Sequence, residues 1–237
     1  WSGGKTCSYF KIREGEHFYG LGEKFGWLDK RGENVSMWNS DVFDPHNQHT
    51  KELYVSIPFY IGLSEGRSYG FFLDNASRSH FNMGERQDDY VRVETEAGKF
   101  DFYILYGPQI KKVVSRFSDL TGRMPLPPLW SIGYQQEKYS YSTEEEVRYI
   151  AENFRKRDIP CDVIYIDIHH MDGYRNFTWD YHRFPDPEKL IADLRKDGFH
   201  SIITINPGVK KDSEYRHYVE GMDRGYYCKK PDGTVFV

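Results

Sequence analysis

The chain has 237 residues, of which 38% are hydrophobic and 29% charged, so it can bury a sizeable core in one or two domains. Its net charge of -4 gives no reason to expect a nucleic acid or an anionic membrane as a partner. No apolar run approaches the roughly 20 residues of a membrane span. The aromatic share of 17% suits sheet surfaces and stacking on sugar rings, although ordinary core packing accounts for most of these residues.

Three cysteines, Cys7, Cys161 and Cys228, show neither a CxxC pattern nor metal-ligand spacing. Their odd number argues against a disulfide framework and favours a reducing compartment, so we expect a cytoplasmic protein. The first residues carry neither Met nor a signal-peptide pattern. The sequence therefore predicts a piece of a larger gene product.

The first hundred residues are typical of β structure. Short aromatic and β-branched runs at 54–63, 68–74, 90–95 and 99–106 are separated by turn-forming residues. The last run alternates, with Phe100, Phe102 and Ile104 on one predicted face. This spacing predicts a β-sandwich.

A long polar segment, residues 24–51, interrupts these runs. Loops of this length inside a compact domain are usually functional or disordered, and an aromatic-rich segment is not typical of disorder. We predict a functional loop, with a simple capped turn around Asp41 as the alternative. The segment contains Trp27, Trp38, Asn39, Asp41, Asp44, His46 and His49.

After Gly107 the hydrophobic period changes from two residues to 3.6. Pro108 and Gly122 bracket a predicted helix whose apolar stripe is Ile110, Val113, Val114, Phe117 and Leu120. The proline-rich residues 124–128 cannot continue that helix. We therefore divide the chain into a sandwich at 1–107, a helix with a linker at 108–128, and a further domain at 129–237.

The further domain alternates strands with helices, which indicates parallel strands joined by right-handed crossovers. Strands are predicted at 130–135, 161–168 and 200–206. The capping box from Thr143 to Glu146 opens one helix, and Asp186 with Pro187 opens another that Gly198 ends. A short helix at 215–221 and a hairpin at 228–237, turning at Asp232 and Gly233, complete the prediction.

These units are typical of the start of a (β/α)8 barrel. A closed barrel takes about 250 residues, more than twice the length of residues 130–237. The alternatives are an open three-stranded sheet or a fragment of a larger barrel. We favour the fragment, because an open sheet leaves its edges uncovered.

The segment 163–172 carries the strongest candidate site. Four apolar residues predict a strand buried on both faces, and Asp167 follows at its carboxyl end, where α/β folds present functional groups. The alternative is that Asp167 caps a turn. Asp167, His169, His170 and Asp172 are metal-ligand types, but neighbouring residues on a strand end point to opposite sides, so we expect no metal.

Ten short motifs, in this order, resemble glycoside hydrolase family 31, the α-glucosidase and α-xylosidase family. They span nearly the whole chain: 18–23 (FYGLGE), 38–41 (WNSD), 57–59 (IPF), 69–74 (YGFFLD), 127–130 (PPLW), 159–162 (IPCD), 166–172 (IDIHHMD), 177–178 (FT), 184–185 (FP) and 205–208 (INPG). The resemblance implies a galactose-mutarotase-like β-sandwich followed by the first three βα units of a (β/α)8 TIM barrel.

The resemblance also implies a retaining mechanism with two carboxyl groups and no cofactor. The family's nucleophile follows a Trp-x-Asp-Met-Asn-Glu type of motif, which does not occur before Val237. We therefore expect no catalytic residue in this chain and the remainder of the barrel as its partner. The alternative is a noncatalytic carbohydrate-binding or interaction module. A homo-oligomer is left open.

Binding of an α-linked oligosaccharide is what the resemblance implies for the site residues. Asp167, with Ile168 beside it, would accept hydrogen bonds from sugar hydroxyls, and Asp41 would reach the same site from the sandwich loop. The full predicted set is Asp41, Tyr139, Asp167, Ile168, Thr204 and Asn206.

Three departures from the family pattern leave the choice among glucoside, xyloside and other α-linked substrates open. Lys138 precedes Tyr139 where Arg is usual, and Asn206 replaces an Asp. His169 and His170 stand where relatives often have Asp-Tyr. The two histidines either tune substrate choice or hydrogen-bond barrel loops.

Overall fold

The computed structural model describes residues 4–43, 45–48, 50–85 and 89–237. Asp44 and His49 of the predicted functional loop lie outside the described residues. The chain divides into two compact units, Trp1–Met124 and Pro125–Val237, and the division falls inside the proline-rich segment. Among the described residues, no helix is long and apolar enough to cross a membrane.

The first unit is a sandwich of two antiparallel sheets, as predicted. In its described part the sheets have four strands each, in the orders β1-β7-β6-β3 and β2-β4-β5-β8. The strands are β1 (Thr6–Lys11), β2 (His17–Gly22), β3 (Asn34–Met37), β4 (Ser56–Ser64), β5 (Arg67–Leu73), β6 (Ser79–Asn82), β7 (Tyr90–Thr95) and β8 (Phe102–Tyr106).

Large aromatic side chains fill the space between the two sheets. Phe18, Phe71 and Phe81 are fully buried, and the Tyr60 ring stacks on Phe71 with 5.2 Å between centroids. On the last strand, Phe102 and Ile104 are 43% and 53% exposed, because β8 lies at the edge of its sheet in the described residues. The Phe102 ring nevertheless stacks on the buried Phe71 ring, with 5.4 Å between centroids.

The polar segment 24–51 is not one continuous loop. It contains β3, in which Val35 and Met37 are buried in the sandwich core. Lys30 is also buried, and its Nζ donates to the carbonyls of Phe25 (3.1 Å) and Trp27 (2.6 Å). The sequence therefore overestimates the length of the loop.

Helix α1 (Ile110–Thr121) packs on the first unit over a narrower stripe than predicted. Val113 is fully buried, and the Phe117 ring stacks on Phe59 at 4.0 Å. Ile110, Val114 and Leu120, which belong to the same predicted apolar stripe, are 41–45% exposed. Gly122, at φ +97°, ends the helix as predicted.

The second unit contains a parallel sheet in the order β11-β10-β9 within the described residues. Its strands are β9 (Gln135–Gln136), β10 (Val163–Ile166) and β11 (His200–Ile203), and its helices are α2 (Glu144–Lys156), α3 (Pro187–Lys196) and α4 (Arg216–Asp223). The described part of this unit thus has the βα order of a partial barrel.

The first strand of this sheet is the clearest error in the predicted elements. Leu129–Ile132 forms a 3-10 helix, and β9 begins only at Gln135. Ser131 donates both its N–H (3.0 Å) and its hydroxyl (2.7 Å) to the carbonyl of Pro128, which closes a tight turn in place of a strand.

Both predicted helix starts are confirmed. The Thr143 hydroxyl accepts from the N–H of Glu146 at 3.3 Å, and Asp186 accepts from the N–H of Lys189 at 3.0 Å. Glu146 reaches back to the N–H of Ser142 at 2.9 Å, one residue before the cap itself. The predicted short helix and hairpin are present as α4 and as a bridge between Lys229 and Val235.

Candidate functional site

The three parallel strands bring five of the six predicted site residues to one edge of the sheet. Ile166 pairs with Ile203, so Asp167 and Thr204 each follow at the carboxyl end of neighbouring strands. Thr204 donates its N–H to the carbonyl of Ile166 at 3.0 Å. Ile168, Tyr139 and Asn206 lie in the loops that follow β10, β9 and β11.

Asp167 is almost buried, at 8% exposure. Its backbone carbonyl accepts from the N–H of His170 (3.1 Å), but its carboxylate makes no capping hydrogen bond. Among the described residues, no other donor is hydrogen-bonded to that carboxylate either. Neither carboxylate oxygen is among the fully buried side-chain atoms that lack a partner in the described residues, so this group is accessible and free to accept hydrogen bonds from a ligand.

The adjacent histidines have different environments. His170 is 3% exposed, packs 4.8 Å from the Trp179 ring, and donates from Nδ1 to the carbonyl of Asp167 at 2.9 Å. Burial lowers the pKa of His170, so its ring is neutral and acts as a structural hydrogen-bond donor.

His169 lies among aromatic rings at the same edge of the sheet. It is edge-on to Tyr139 (5.6 Å) and Tyr174 (5.8 Å), and its Nε2 is 3.4 Å from the Tyr174 hydroxyl. Tyr139 is 79% exposed, so its ring is available for stacking on a ligand. In the described parts of the chain, no group of three or more His, Cys, Asp or Glu side chains is arranged to hold a metal ion.

Asn176 was missed by the sequence analysis. It is 4% exposed, accepts from the N–H of Asn206 (3.1 Å), and donates to the carbonyls of Asn206 (2.9 Å) and Gly208 (2.8 Å). An asparagine in a polar loop looks the same in sequence whether its amide is solvated or buried. The only available signal was its position beside the Phe-Thr motif at 177–178.

An ion pair joins the same two loops. Arg175 donates from Nε (3.0 Å) and from a terminal nitrogen (2.6 Å) to Oδ2 of Asp212. The N–H of Glu214 and the Arg175 guanidinium lower the pKa of Asp212. The loops after β10 and β11 are therefore fastened to each other.

Asp41, the sixth predicted residue, belongs to the first unit. It is exposed, and its Oδ1 accepts a 2.9 Å hydrogen bond from the Tyr54 hydroxyl, which raises the pKa of Tyr54. In the same unit, the Arg78 guanidinium lies over the half-exposed Trp38 ring, 5.6 Å from its centroid. That Asp41 reaches the substrate of the second unit stays a prediction.

Comparison with known proteins identifies the family. Residues 124–237 match the glycosyl hydrolases family 31 TIM-barrel domain, and residues 2–82 match the glycosyl hydrolase 31 N-terminal galactose mutarotase-like domain. The chain belongs to glycoside hydrolase family 31, and the predicted order of a mutarotase-like sandwich followed by part of a barrel is confirmed.

Curated relatives carry α-glucosidase names. The chain is 48% identical over 233 residues to Alpha-glucosidase 2 of Bacillus thermoamyloliquefaciens, and the aligned region covers 98% of this chain and 30% of that protein. It is 35% identical over 222 residues to the Alpha-glucosidase of Saccharolobus solfataricus, covering 94% and 32%. The chain thus spans about a third of the length of these relatives.

A solved structure agrees with the fold. The Flavobacterium johnsoniae GH31 dextranase complexed with glucose aligns with a TM-score of 0.84 and 33% identity, over 98% of this chain and 29% of that one.

Proposed function

We propose that this chain is part of a retaining α-glycosidase that hydrolyses terminal, non-reducing α-linked glucose or xylose residues. The family and the α-glucosidase names of its relatives support the class of reaction. In this proposal the chain contributes substrate-binding residues. The nucleophile and the acid/base, which the retaining mechanism requires, lie in another part of the protein.

The observation that carries the proposal is the carboxylate of Asp167, a residue that is 8% exposed as a whole, because this carboxylate has no hydrogen-bond donor among the described residues. Sugar hydroxyls are suitable donors, and a hydrogen bond to a charged group contributes about 1.5–3 kcal/mol. Each 1.36 kcal/mol is a factor of ten, so one such bond strengthens binding about 10- to 150-fold.

The other predicted residues complete this surface. Ile168 offers an apolar contact beside the carboxylate, and the exposed ring of Tyr139 offers a stacking surface for a sugar. Asn206 and Thr204 contribute polar groups from the neighbouring strand, and Asp41 contributes a second carboxylate from the sandwich. Glucosides and xylosides are alternative substrates in this proposal.

The test compares Asp167→Asn with Asp197→Asn in the longer protein, with p-nitrophenyl α-D-glucopyranoside as the substrate. Asp197 ends α3 just before β11, so the control makes the same chemical change at the opposite end of the strands. We expect Asp167→Asn to lower kcat/KM at least tenfold without lowering the melting temperature, because no protein donor loses its acceptor. Unchanged kcat/KM would remove Asp167 from the site.

A second measurement uses the 237-residue chain by itself. We expect no hydrolysis of the same substrate, since the family's nucleophile motif does not occur in this sequence. Heat-labile hydrolysis by pure chain would contradict this assignment. Sequence that follows Val237 in the gene distinguishes the noncatalytic module from the enzyme, because a Trp-x-Asp-x-Asn-Glu segment is expected only for the enzyme.

We also propose that the protein is located in a reducing compartment, the cytoplasm. This proposal is supported by the three free thiols, among which Cys161 is buried and has its pKa raised by that burial. Cell fractionation tests it, and recovery of the protein only from an oxidising compartment would contradict it.

A further inference from the structure

We infer that Asn176 is a positioning residue that fixes the substrate-facing loop after β11 to the loop after β10. We call this arrangement, Asn176 with the backbone of Asn206 and Gly208, the Asn176 clamp. The joining of the two loops is independent of the proposed function, whereas the effect of Asn176 on substrate binding rests on it.

One amide makes every side-chain bond of the clamp. Oδ1 of Asn176 accepts from the N–H of Asn206 at 3.1 Å, and Nδ2 donates to the carbonyls of Asn206 at 2.9 Å and Gly208 at 2.8 Å. Asp has no donor for these two carbonyls, and an apolar residue has neither donor nor acceptor. The amide of Asn is thus chemically matched to this turn.

The amide at the centre of the clamp is buried, although the residues whose backbone it holds are exposed. Asn176 is 4% exposed, and its own carbonyl accepts from the Tyr215 hydroxyl at 2.6 Å, whereas Asn206 and Gly208 are exposed. A buried amide that loses its hydrogen-bond partners bears the cost of its own desolvation. The two loops therefore have a preference for one relative position.

The backbone around Asn176 also requires support from outside the loop. Tyr174 and Phe177 have φ of 61° and 63°, a left-handed conformation that is uncommon for bulky side chains. Such a conformation persists where the surrounding contacts hold it. Arg175 with Asp212, and the Lys210 Nζ donating to the carbonyl of Gly173 at 2.7 Å, supply further contacts between the same loops.

The consequence concerns Asn206, a predicted substrate-binding residue. Asn176 is hydrogen-bonded to both the N–H and the carbonyl of Asn206. The backbone that carries the Asn206 side chain is therefore held in place after β11, the strand that pairs with β10. Binding groups act efficiently only when they are held near the productive geometry, and a displacement of about 1 Å costs on the order of 100-fold in rate. Asn176 therefore acts through Asn206 and not by touching the sugar.

The first arm of the test measures amide hydrogen exchange in the longer protein. The variants are Asn176→Ala, which removes all three bonds, and Asn176→Asp, which keeps an acceptor for the N–H of Asn206. The control is Asn153→Ala, because the hydrogen bonds of the Asn153 amide to described residues are local, to Tyr149 on the same helix and to Arg157 at its C-cap. We expect the Asn206 amide to exchange about tenfold faster in Asn176→Ala, to show intermediate protection in the Asp variant, and to exchange unchanged in the control. Unchanged exchange in Asn176→Ala would refute the clamp.

The second arm measures kinetics of the longer protein with p-nitrophenyl α-D-glucopyranoside. We expect Asn176→Ala to raise KM about tenfold at temperatures well below its melting point, with partial rescue in Asn176→Asp. Faster exchange with unchanged KM and kcat would refute the positioning role. A wild-type protein without hydrolytic activity would refute the proposed function and not the clamp, which the exchange measurement decides alone.

Discussion

The contact between α1 and β5 offers a sharp test of packing in the first unit. A Cβ atom at Gly70 would lie 2.7 Å from Cγ1 of Val113 and 2.7 Å from Cε2 of Phe59. Carbon atoms prefer about 3.5–4.0 Å, so Gly70→Ala forces an overlap of close to 1 Å on two sides. Val113 is fully buried and Phe59 is 8% exposed, so neither has room to move freely.

The expected cost of Gly70→Ala is about 1–3 kcal/mol of stability, the range for overpacked cores. Val113→Ala alone removes two buried methyl groups, which costs about 1.6 kcal/mol by transfer and more if a cavity remains. In the double variant the new methyl fills the space that Val113 vacates. The double variant should therefore lose less stability than the sum of the single variants, by about 1 kcal/mol or more.

Amide hydrogen exchange of β5 measures the free energy of the opening that exposes this strand. Val114→Ala is the matched control, because it removes the same atoms from the same helix at a side chain that is 45% exposed. It should change stability by less than about 0.5 kcal/mol. Strict additivity of Gly70→Ala and Val113→Ala would refute the packing argument.

Two further predictions concern the second unit. Thr143→Ala should destabilise α2 by about 1 kcal/mol, because it removes the acceptor of the Glu146 N–H. Ser142→Ala is the control, because the Glu146 carboxylate accepts from the backbone N–H of Ser142, which the substitution keeps. Amide exchange in α2 should therefore be unchanged in Ser142→Ala. Because burial lowers the pKa of His170, the unfolded chain binds a proton first as pH falls, so stability decreases from about pH 6.5 downward until the folded pKa is reached. His170→Asn keeps a donor for the Asp167 carbonyl and should flatten this slope in urea titrations between pH 5 and 7; an unchanged slope would assign it to other groups.

Local signals predicted the helices well. The caps at Thr143 and Asp186 and the stop at Gly198 depend on residues within four positions of one another, so the sequence contains all the information needed. The strand at 90–95 was also predicted with its observed bounds. One failure is at Trp130, where a tight turn after Pro128 replaces the predicted strand and the Trp130 ring stacks at 4.1 Å on the ring of His200, which is distant in the sequence.

The candidate site divides in the same way. Asp167 was predictable, because an apolar run that ends in a carboxylate is a local pattern that a parallel sheet turns into a site. Asn176 was not, because its partners Asn206 and Gly208 follow 30 and 32 residues later in the chain. Sequence position also did not separate His169 from His170, whereas burial does.

The family, the order of a sandwich followed by βα units, and the placement of Asp167 at a strand end were all readable from the sequence, because periodicity, caps and motifs are properties of neighbouring residues. The burial of His170, the absence of a donor to the Asp167 carboxylate among the described residues, and the joining of two loops by Asn176 became visible in the folded chain. Burial and hydrogen-bond satisfaction arise when residues distant along the chain meet. No local pattern specifies those meetings.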